Sequence, residues 1–268
     1  MFCFPKEFCN CPGLQKLDLS WNFLTYLPDK IDNFSSLSNL DLSYNRLIGL
    51  PPLFTRLSQL TSLDLSCNAL RSLPEDFGNL FRMNRLGLSQ NRLATLPASI
   101  KGLSWLTRLE ASGNGLKSLP CEIGRLKELR ILNLSNNQLA YLPVSICGLT
   151  KLNELCVRNN GLRALPNDIG ALLSLKFLNL SKNHLTCLPN SITNLSNLQE
   201  LVLLDNWFVC LPDDLEKLRC LQVLYVNQDM LIDPEGVIQR LRKQLPRQAV
   251  ILGSLPSAEP KEKTCTVM

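Results

Sequence analysis

Residues 129–151 read LRILNLSNNQLAYLPVSICGLTK, and this stretch contains every position that recurs along the chain. In this copy the recurring positions are Leu129, Leu132, Leu134, Asn137, Leu139, Leu142, Pro143 and Ile146. The asparagine returns at a constant interval of 23 residues, at Asn22, Asn45, Asn68, Asn91, Asn114, Asn137, Asn160, Asn183 and Asn206, and the next step falls on Asp229. A fixed interval kept without insertion indicates one structural unit repeated along the chain, so the fold is predicted to be a stack of such units.

Each position of the repeat has a physical role. The Leu-x-Leu segment, for example Leu40-Asp41-Leu42, is predicted to be a short strand whose leucines point inward and whose middle residue points outward. Successive copies then align these strands into one long parallel sheet. One copy cannot bury its apolar side alone, because its leucines need the neighbouring copies to cover them.

The second half of the repeat turns the chain back to the next strand. The asparagine closes the turn after the strand, since its amide can donate to a backbone carbonyl and accept from a backbone N–H. The Leu-Pro pair that follows ends the extended segment, and the proline leads a short helical turn. Apolar residues such as Phe54, Ile100 and Leu215 are predicted to fill the core from this second side.

The match to the repeat divides the chain into four parts. Residues 1–13 match the second half of a repeat, and residues 14–231 hold about ten copies of the 23-residue unit. Residues 232–252 are predicted to be a C-terminal cap helix and its end, because Asp233-Pro234-Glu235 resembles a helix start. Residues 253–268 are polar and are predicted to be a flexible tail.

The pattern LxxLxLxxNxL, with LPxxI in its second half, resembles the leucine-rich repeats of the cytoplasmic Ras-suppressor, Scribble and Erbin group. The resemblance covers residues 4 to about 231. It implies an α/β fold, a horseshoe-shaped solenoid with a parallel concave sheet and short helical or 3-10 segments on the convex side. It also implies a signalling or polarity scaffold without enzymatic activity in the repeats.

Composition narrows the function classes. The chain has one histidine, His184, and we find no phosphate-binding glycine loop and no catalytic triad, so we expect neither an enzyme nor a cofactor or metal site. Eleven cysteines are an odd number without framework spacing, which favours reduced thiols in the cytoplasm. The net charge of +5 is concentrated after Gly236 rather than spread over the repeats, so no nucleic-acid partner is expected.

A protein partner is predicted to bind the concave face. Strand residues outside the leucine positions project there, and charged or aromatic side chains among them are the usual anchors of an interface. The predicted partner-binding residues are Asp18, Asp41, Asp64, Arg46, Arg85, Arg92, Arg108, Phe177, Trp207 and Tyr225. The partner classes considered are a small GTPase and a signalling enzyme.

The chain ends in Cys265-Thr266-Val267-Met268, which matches a C-a-a-X box with a residue that favours farnesyl. One lipid alone attaches weakly, and basic residues near the end are predicted to add electrostatic attraction to an anionic membrane. These residues are Arg240, Arg242, Lys243, Arg247, Lys261 and Lys263. The leading hypothesis is a scaffold held by farnesyl on Cys265 at the cytoplasmic face of a membrane. The alternative is a soluble regulatory subunit that targets a phosphatase or a ubiquitin ligase, with the C-a-a-X match unused.

Overall fold

The computed structural model describes residues 11–212, 214–227 and 250–252, and these form one repetitive sheet structure. Eleven short strands pair in chain order into a single parallel sheet. The strands are β1 (Lys16–Asp18), β2 (Asn39–Asp41), β3 (Ser62–Asp64), β4 (Arg85–Gly87), β5 (Arg108–Glu110), β6 (Ile131–Asn133), β7 (Glu154–Cys156), β8 (Phe177–Asn179), β9 (Glu200–Val202), β10 (Val223–Tyr225) and β11 (Val250–Leu252). The predicted fold class, a repeat solenoid with a parallel concave sheet, is confirmed.

The register aligns equivalent positions of the repeat. Leu17 of β1 stands opposite Leu40 of β2, and Leu40 stands opposite Leu63 of β3. Each strand is centred one residue earlier than the sequence suggested, on the first leucine of the Leu-x-Leu segment. The pairing nevertheless continues, because the Leu42 N–H donates to the Asp64 carbonyl at 2.8 Å. Leu40 and Leu42 are buried, as expected for inward-facing positions.

Short 3-10 helices form the other side of the stack. They span Asp29–Asn33, Pro52–Arg56, Phe77–Asn79, Ala98–Gly102, Cys121–Arg125, Val144–Gly148, Ile169–Ala171, Asn190–Asn194 and Leu215–Lys217. In most copies a proline with extended backbone precedes the helix, as at Pro97 with φ −68° and ψ 150°. The apolar residues predicted to fill the core from this side, Phe54, Ile100 and Leu215, are all buried.

One continuous core lies between the sheet and the 3-10 helices. Leucines, isoleucines and phenylalanines from every described repeat contribute to it. At the first repeat, Leu14, Leu17 and Leu19 are only partly buried, whereas Leu24 of the same copy is completely buried. Burial of the repeat positions therefore increases from the first strand into the stack.

The recurring asparagine joins neighbouring repeats as well as closing its own turn. Asn137 Nδ2 donates to the Leu134 carbonyl at 2.9 Å within its copy and to the Ala111 carbonyl at 3.0 Å in the preceding one. Asn137 Oδ1 accepts the Leu116 N–H at 3.1 Å. The predicted role of the asparagine is confirmed, and the contacts between copies add a connection that the sequence did not indicate.

Several predicted features lie outside the described residues. These are most of the initial half-repeat, the helix expected from Asp233, the tail, Cys265 and the basic residues assigned to the membrane. Of the segment predicted as a C-terminal cap, only Val250–Leu252 is described, and it is β11, parallel to β10. Within the ranges that the structure describes, no helix is both long and apolar enough to cross a membrane.

Candidate protein-binding surface

Three aspartates occupy equivalent positions at the ends of β1, β2 and β3. Asp18 stands opposite Asp41, and Asp41 stands opposite Asp64, so the three form a row that we call the acidic column. Each Oδ1 accepts the backbone N–H two residues on, at 2.9 Å from Ser20, 2.9 Å from Ser43 and 2.8 Å from Ser66. Hydrogen bonds from Ser20 hold the pKa of Asp18 below its ordinary value. The three carboxylates are therefore fixed in one orientation by their own turns.

The acidic column borders a shallow groove of about 220 Å³, whose lining includes Lys16 and Arg85. None of the three aspartates forms an ion pair with a lysine or arginine among the described residues. The three carboxylates thus line the same groove as Lys16 and Arg85 without contacting either of them in an ion pair.

The predicted arginines fall into two groups. Arg85 and Arg108 stand opposite each other on β4 and β5. Arg108 Nε donates to Glu110 Oε1 at 2.9 Å, and Glu110 is only 8% exposed. Burial raises the pKa of Glu110, while the charge of Arg108 opposes that rise. Arg108 therefore supports a buried carboxylate, and Arg85 is the exposed member of the pair.

Arg46 and Arg92 lie beyond the strands, directly after Asn45 and Asn91. Both side chains are exposed. The Arg46 guanidinium carbon lies 4.8 Å from the centroid of the Phe23 ring, a cation–π contact between neighbouring repeats. These two arginines thus border the sheet at the edge where the strands end.

The apolar residues near the other end of the sheet differ from expectation. Tyr225 is 7% exposed and belongs to a small buried cluster with Val202 and Leu204, which we call the apolar cluster. The expectation that Tyr225 presents its ring to a partner is wrong for this structure, because packing within that cluster removes it from the surface. Phe177 is half-buried against the same cluster. Trp207 is 58% exposed, with its ring centroid 4.8 Å from that of His184.

Two exposed aromatic residues were not predicted as site residues. Trp21 and Tyr44 stack in parallel, with ring centroids 3.8 Å apart and planes inclined by 6°. Each directly precedes a recurring asparagine, and both have left-handed backbones, with φ of 55° and 53°. The signal was present in the sequence as two aromatic residues one repeat apart, but their orientation depends on this turn. Together with Phe23 they form a surface that we call the aromatic edge.

Titratable residues do not converge in a metal-like cluster here: among the described residues, no group of three or more His, Cys, Asp or Glu is placed to hold an ion. The surface consists instead of rows of separate side chains, one from each repeat. Such a row can contact an extended partner with one side chain from each repeat.

Comparison with known proteins agrees with this geometry. A leucine rich repeat family model matches residues 58–116, and a second one matches residues 36–57, 128–149 and 174–195. The structure of a leucine-rich repeat protein from Leptospira interrogans is 32% identical, with a TM-score of 0.68, and the match covers 93% of this chain and 74% of that one. This chain belongs to the leucine-rich repeat family. A comparison with curated protein sequences finds no match.

Two receptors are also similar in structure. A TDR receptor is 28% identical over 92% of this chain and 44% of its own, with a TM-score of 0.77. The plant peptide hormone receptor RGFR1, solved in complex with RGF2, is 29% identical over 90% of this chain and 45% of its own, with a TM-score of 0.72. The chain therefore spans less than half of these two receptors. The fold is one used in general for protein–protein interaction.

Proposed function

We propose that this protein is a non-catalytic interaction scaffold that binds a signalling partner on the concave face of its sheet. The observation that carries the proposal is the row of side chains on one face of β1 to β10, which includes exposed charged groups of both signs at one end. Charge patterns of this kind fix the position of a partner and suppress incorrect partners. The similarity to a peptide hormone receptor solved with its ligand supports a protein or peptide ligand.

The second part of the proposal is attachment to the cytoplasmic face of a membrane through farnesyl on Cys265. It is supported by the sequence CTVM at the end and by Lys261 and Lys263 close to it. Each basic residue near an anionic surface contributes about 1 kcal/mol, which adds to the marginal attachment given by one lipid.

The concave face is tested by charge reversal at Arg85 and Arg92. Both side chains are exposed, and neither forms an ion pair within the described residues. Arg108 is left intact because its reversal would place two acids beside each other at Glu110. We expect Arg85→Glu with Arg92→Glu to release proteins that the wild type captures from a membrane extract.

The matched control is Lys101→Glu with Arg125→Glu. These two exposed cations belong to the 3-10 helices Ala98–Gly102 and Cys121–Arg125, on the side of the stack away from the sheet. The charge change is the same, so the control should retain the captured proteins. Greater loss from the control pair than from Arg85 and Arg92 would contradict binding on the concave face.

The anchor is tested by Cys265→Ser, followed by membrane fractionation and mass spectrometry of the cellular protein. We expect the wild type in the membrane fraction with a farnesyl thioether on Cys265, and the variant in the soluble fraction. A wild-type protein that is soluble and carries an unmodified Cys265 would instead support a soluble targeting subunit of a phosphatase or ubiquitin ligase.

A further inference from the structure

Exposed aromatic rings are concentrated in the first two described repeats. Trp21 is 73% exposed, Phe23 44% and Tyr44 45%, although two of the three rings stack on each other. Tyr26 and Ile48, in the same two repeats, are also exposed. Exposed apolar side chains that gather in one area usually mark a binding surface, whereas isolated ones do not.

The backbone conformation at Trp21 and Tyr44 also bears on the role of these two rings. Trp21 and Tyr44 adopt the left-handed conformation, which is unfavourable for residues with a Cβ and least so for glycine and asparagine. The same turn position is left-handed in the later repeats, where Cys67, Gln90, Gly113, Asn136, Asn159, Lys182 and Asp205 occupy it. Two large aromatic residues there contribute little to the core, because their rings remain outside it. The exposed surfaces of the two rings are therefore available to another molecule.

The acidic column determines the charge of that molecule. It begins on β1 and β2, the strands that Trp21 and Tyr44 follow, and its three carboxylates form no ion pair among the described residues although Lys16 and Arg85 line the same groove. The faces of aromatic rings also attract cations. An anionic or purely apolar ligand would leave these carboxylates facing it without compensation, whereas a basic ligand pairs with them.

We propose that the aromatic edge and the acidic column together form the docking site for a basic, extended peptide segment of a protein partner. The proposal rests on the proposed function, since it specifies the partner chemistry of the concave face. Basic side chains of the segment pair with Asp18, Asp41 and Asp64, and their stems or neighbouring side chains pack on Trp21 and Tyr44.

The spacing of the acidic column suggests the form of the segment. Adjacent strands are about 4.8 Å apart, so Asp18 and Asp64, two strands apart, are separated by about 9.6 Å. A polyproline II segment rises about 3.1 Å per residue, which places residues i and i+3 about 9.3 Å apart on one side. Arginines at every third position of a proline-rich peptide would therefore meet the outer two aspartates.

The probe is a fluorescein-labelled peptide with three Arg-Pro-Pro units, and the reference peptide has glutamine in place of each arginine. Binding to the full chain is measured by fluorescence anisotropy at low and at moderate NaCl. Three substitutions, Asp18→Asn, Asp41→Asn and Asp64→Asn, remove the charge together. Asn133 and Asn179 show that asparagine keeps the turn, since their Oδ1 atoms accept the Ser135 and Ser181 N–H groups.

A second variant combines Trp21→Asn with Tyr44→Asn, which places at these turns the residue that the chain already uses at Asn136 and Asn159. We expect the triple aspartate variant to bind the arginine peptide at least about tenfold more weakly and with little salt dependence. The aromatic variant should bind at least about fivefold more weakly at both salt concentrations. Trp105→Gln with Tyr141→Gln, which alters exposed rings elsewhere, should remain within about twofold of wild type.

Unchanged binding in either variant, or equal binding of the glutamine peptide, would overturn the proposal. Its failure is distinguishable from failure of the proposed function. Partner capture that depends on Arg85 and Arg92, but is unaffected by Trp21→Asn with Tyr44→Asn, would leave the scaffold in place and reject this docking site. Peptide binding that depends on both parts of the site supports the inference even if the Arg85 and Arg92 variant retains the captured proteins.

Discussion

The two ends of the concave sheet have the same backbone but opposite surfaces. At β2, Asp41 and the serine two residues later, Ser43, hydrogen-bond to each other, and the Asp41 carboxylate borders an open groove. At β9 the equivalent two positions hold Val202 and Leu204, which are 0% and 4% exposed. The difference shows that the leucine positions and the recurring asparagine determine the fold. The other strand positions determine whether a stretch of the face is available to a ligand or is covered by packing.

The strongest test of this comparison exchanges the two surfaces at one position. Val202→Asp places an unpaired carboxylate in the apolar cluster and should lower the free energy of unfolding by about 3 kcal/mol or more. Asp41→Val, the reverse change, loses the two hydrogen bonds from Ser43 and should cost about 1–2 kcal/mol. Urea unfolding of both variants measures the two values. Equal costs would contradict the burial of Val202 seen in the structure.

The next test concerns what the two ends share. Asn45 and Asn206 make the same set of contacts, for instance with the Leu42 carbonyl at 3.1 Å and the Leu203 carbonyl at 3.0 Å. Replacing either by alanine leaves buried backbone groups without partners, so each should cost about 1–3 kcal/mol. Gln138→Ala, next to a recurring asparagine but exposed, should cost less than about 0.5 kcal/mol. A cost for Asn206→Ala as small as that of Gln138→Ala would contradict the shared role.

The comparison also shows which features the sequence could predict. The period and its apolar positions predicted the sheet, the 3-10 side and the local role of Asn137, because each depends on spacing within one copy. The bond from Asn137 to Ala111 joins two copies, so it depends on how they stack. The burial of Tyr225 and the stacking of Trp21 on Tyr44 depend on neighbours in the adjacent repeats and on the left-handed turn. Neither follows from the residue type alone.

Glu110 lies between the acidic and apolar ends of the sheet. Its ionisation is expected to make the free energy of unfolding depend on pH, with an effect of intermediate size. Burial raises its pKa above the ordinary value of 4.5, with Arg108 and a hydrogen bond from Asn133 opposing the rise. The folded protein then binds a proton more tightly than the unfolded chain does. Stability contributed by this group is therefore present at low pH and is lost as pH rises through the raised pKa.

The measurement compares wild type with Glu110→Gln by urea unfolding at several pH values between about 4 and 7. We expect the wild type to lose stability relative to the variant as the pH increases. An increase instead would show that the ion pair with Arg108 outweighs burial, so that the pKa of Glu110 is lowered.

The smallest expected effect is at Asp18, whose contribution to stability changes with pH in the direction opposite to that of Glu110. Hydrogen bonds from Ser20 lower the pKa of Asp18 from its ordinary value of 3.8, so its contribution to stability is present above that value and is lost as pH falls through the lowered pKa. Ser20→Ala removes the side-chain hydrogen bond but keeps the backbone one. A carbon NMR titration should therefore show the pKa of Asp18 moving upward, partway to its ordinary value. Asn179 has the same turn without an ionisable group, so the stability cost of Asn179→Ala should not vary over this pH range. A pKa of Asp18 that is unchanged by Ser20→Ala would show that the serine hydroxyl is not what stabilises the charged aspartate.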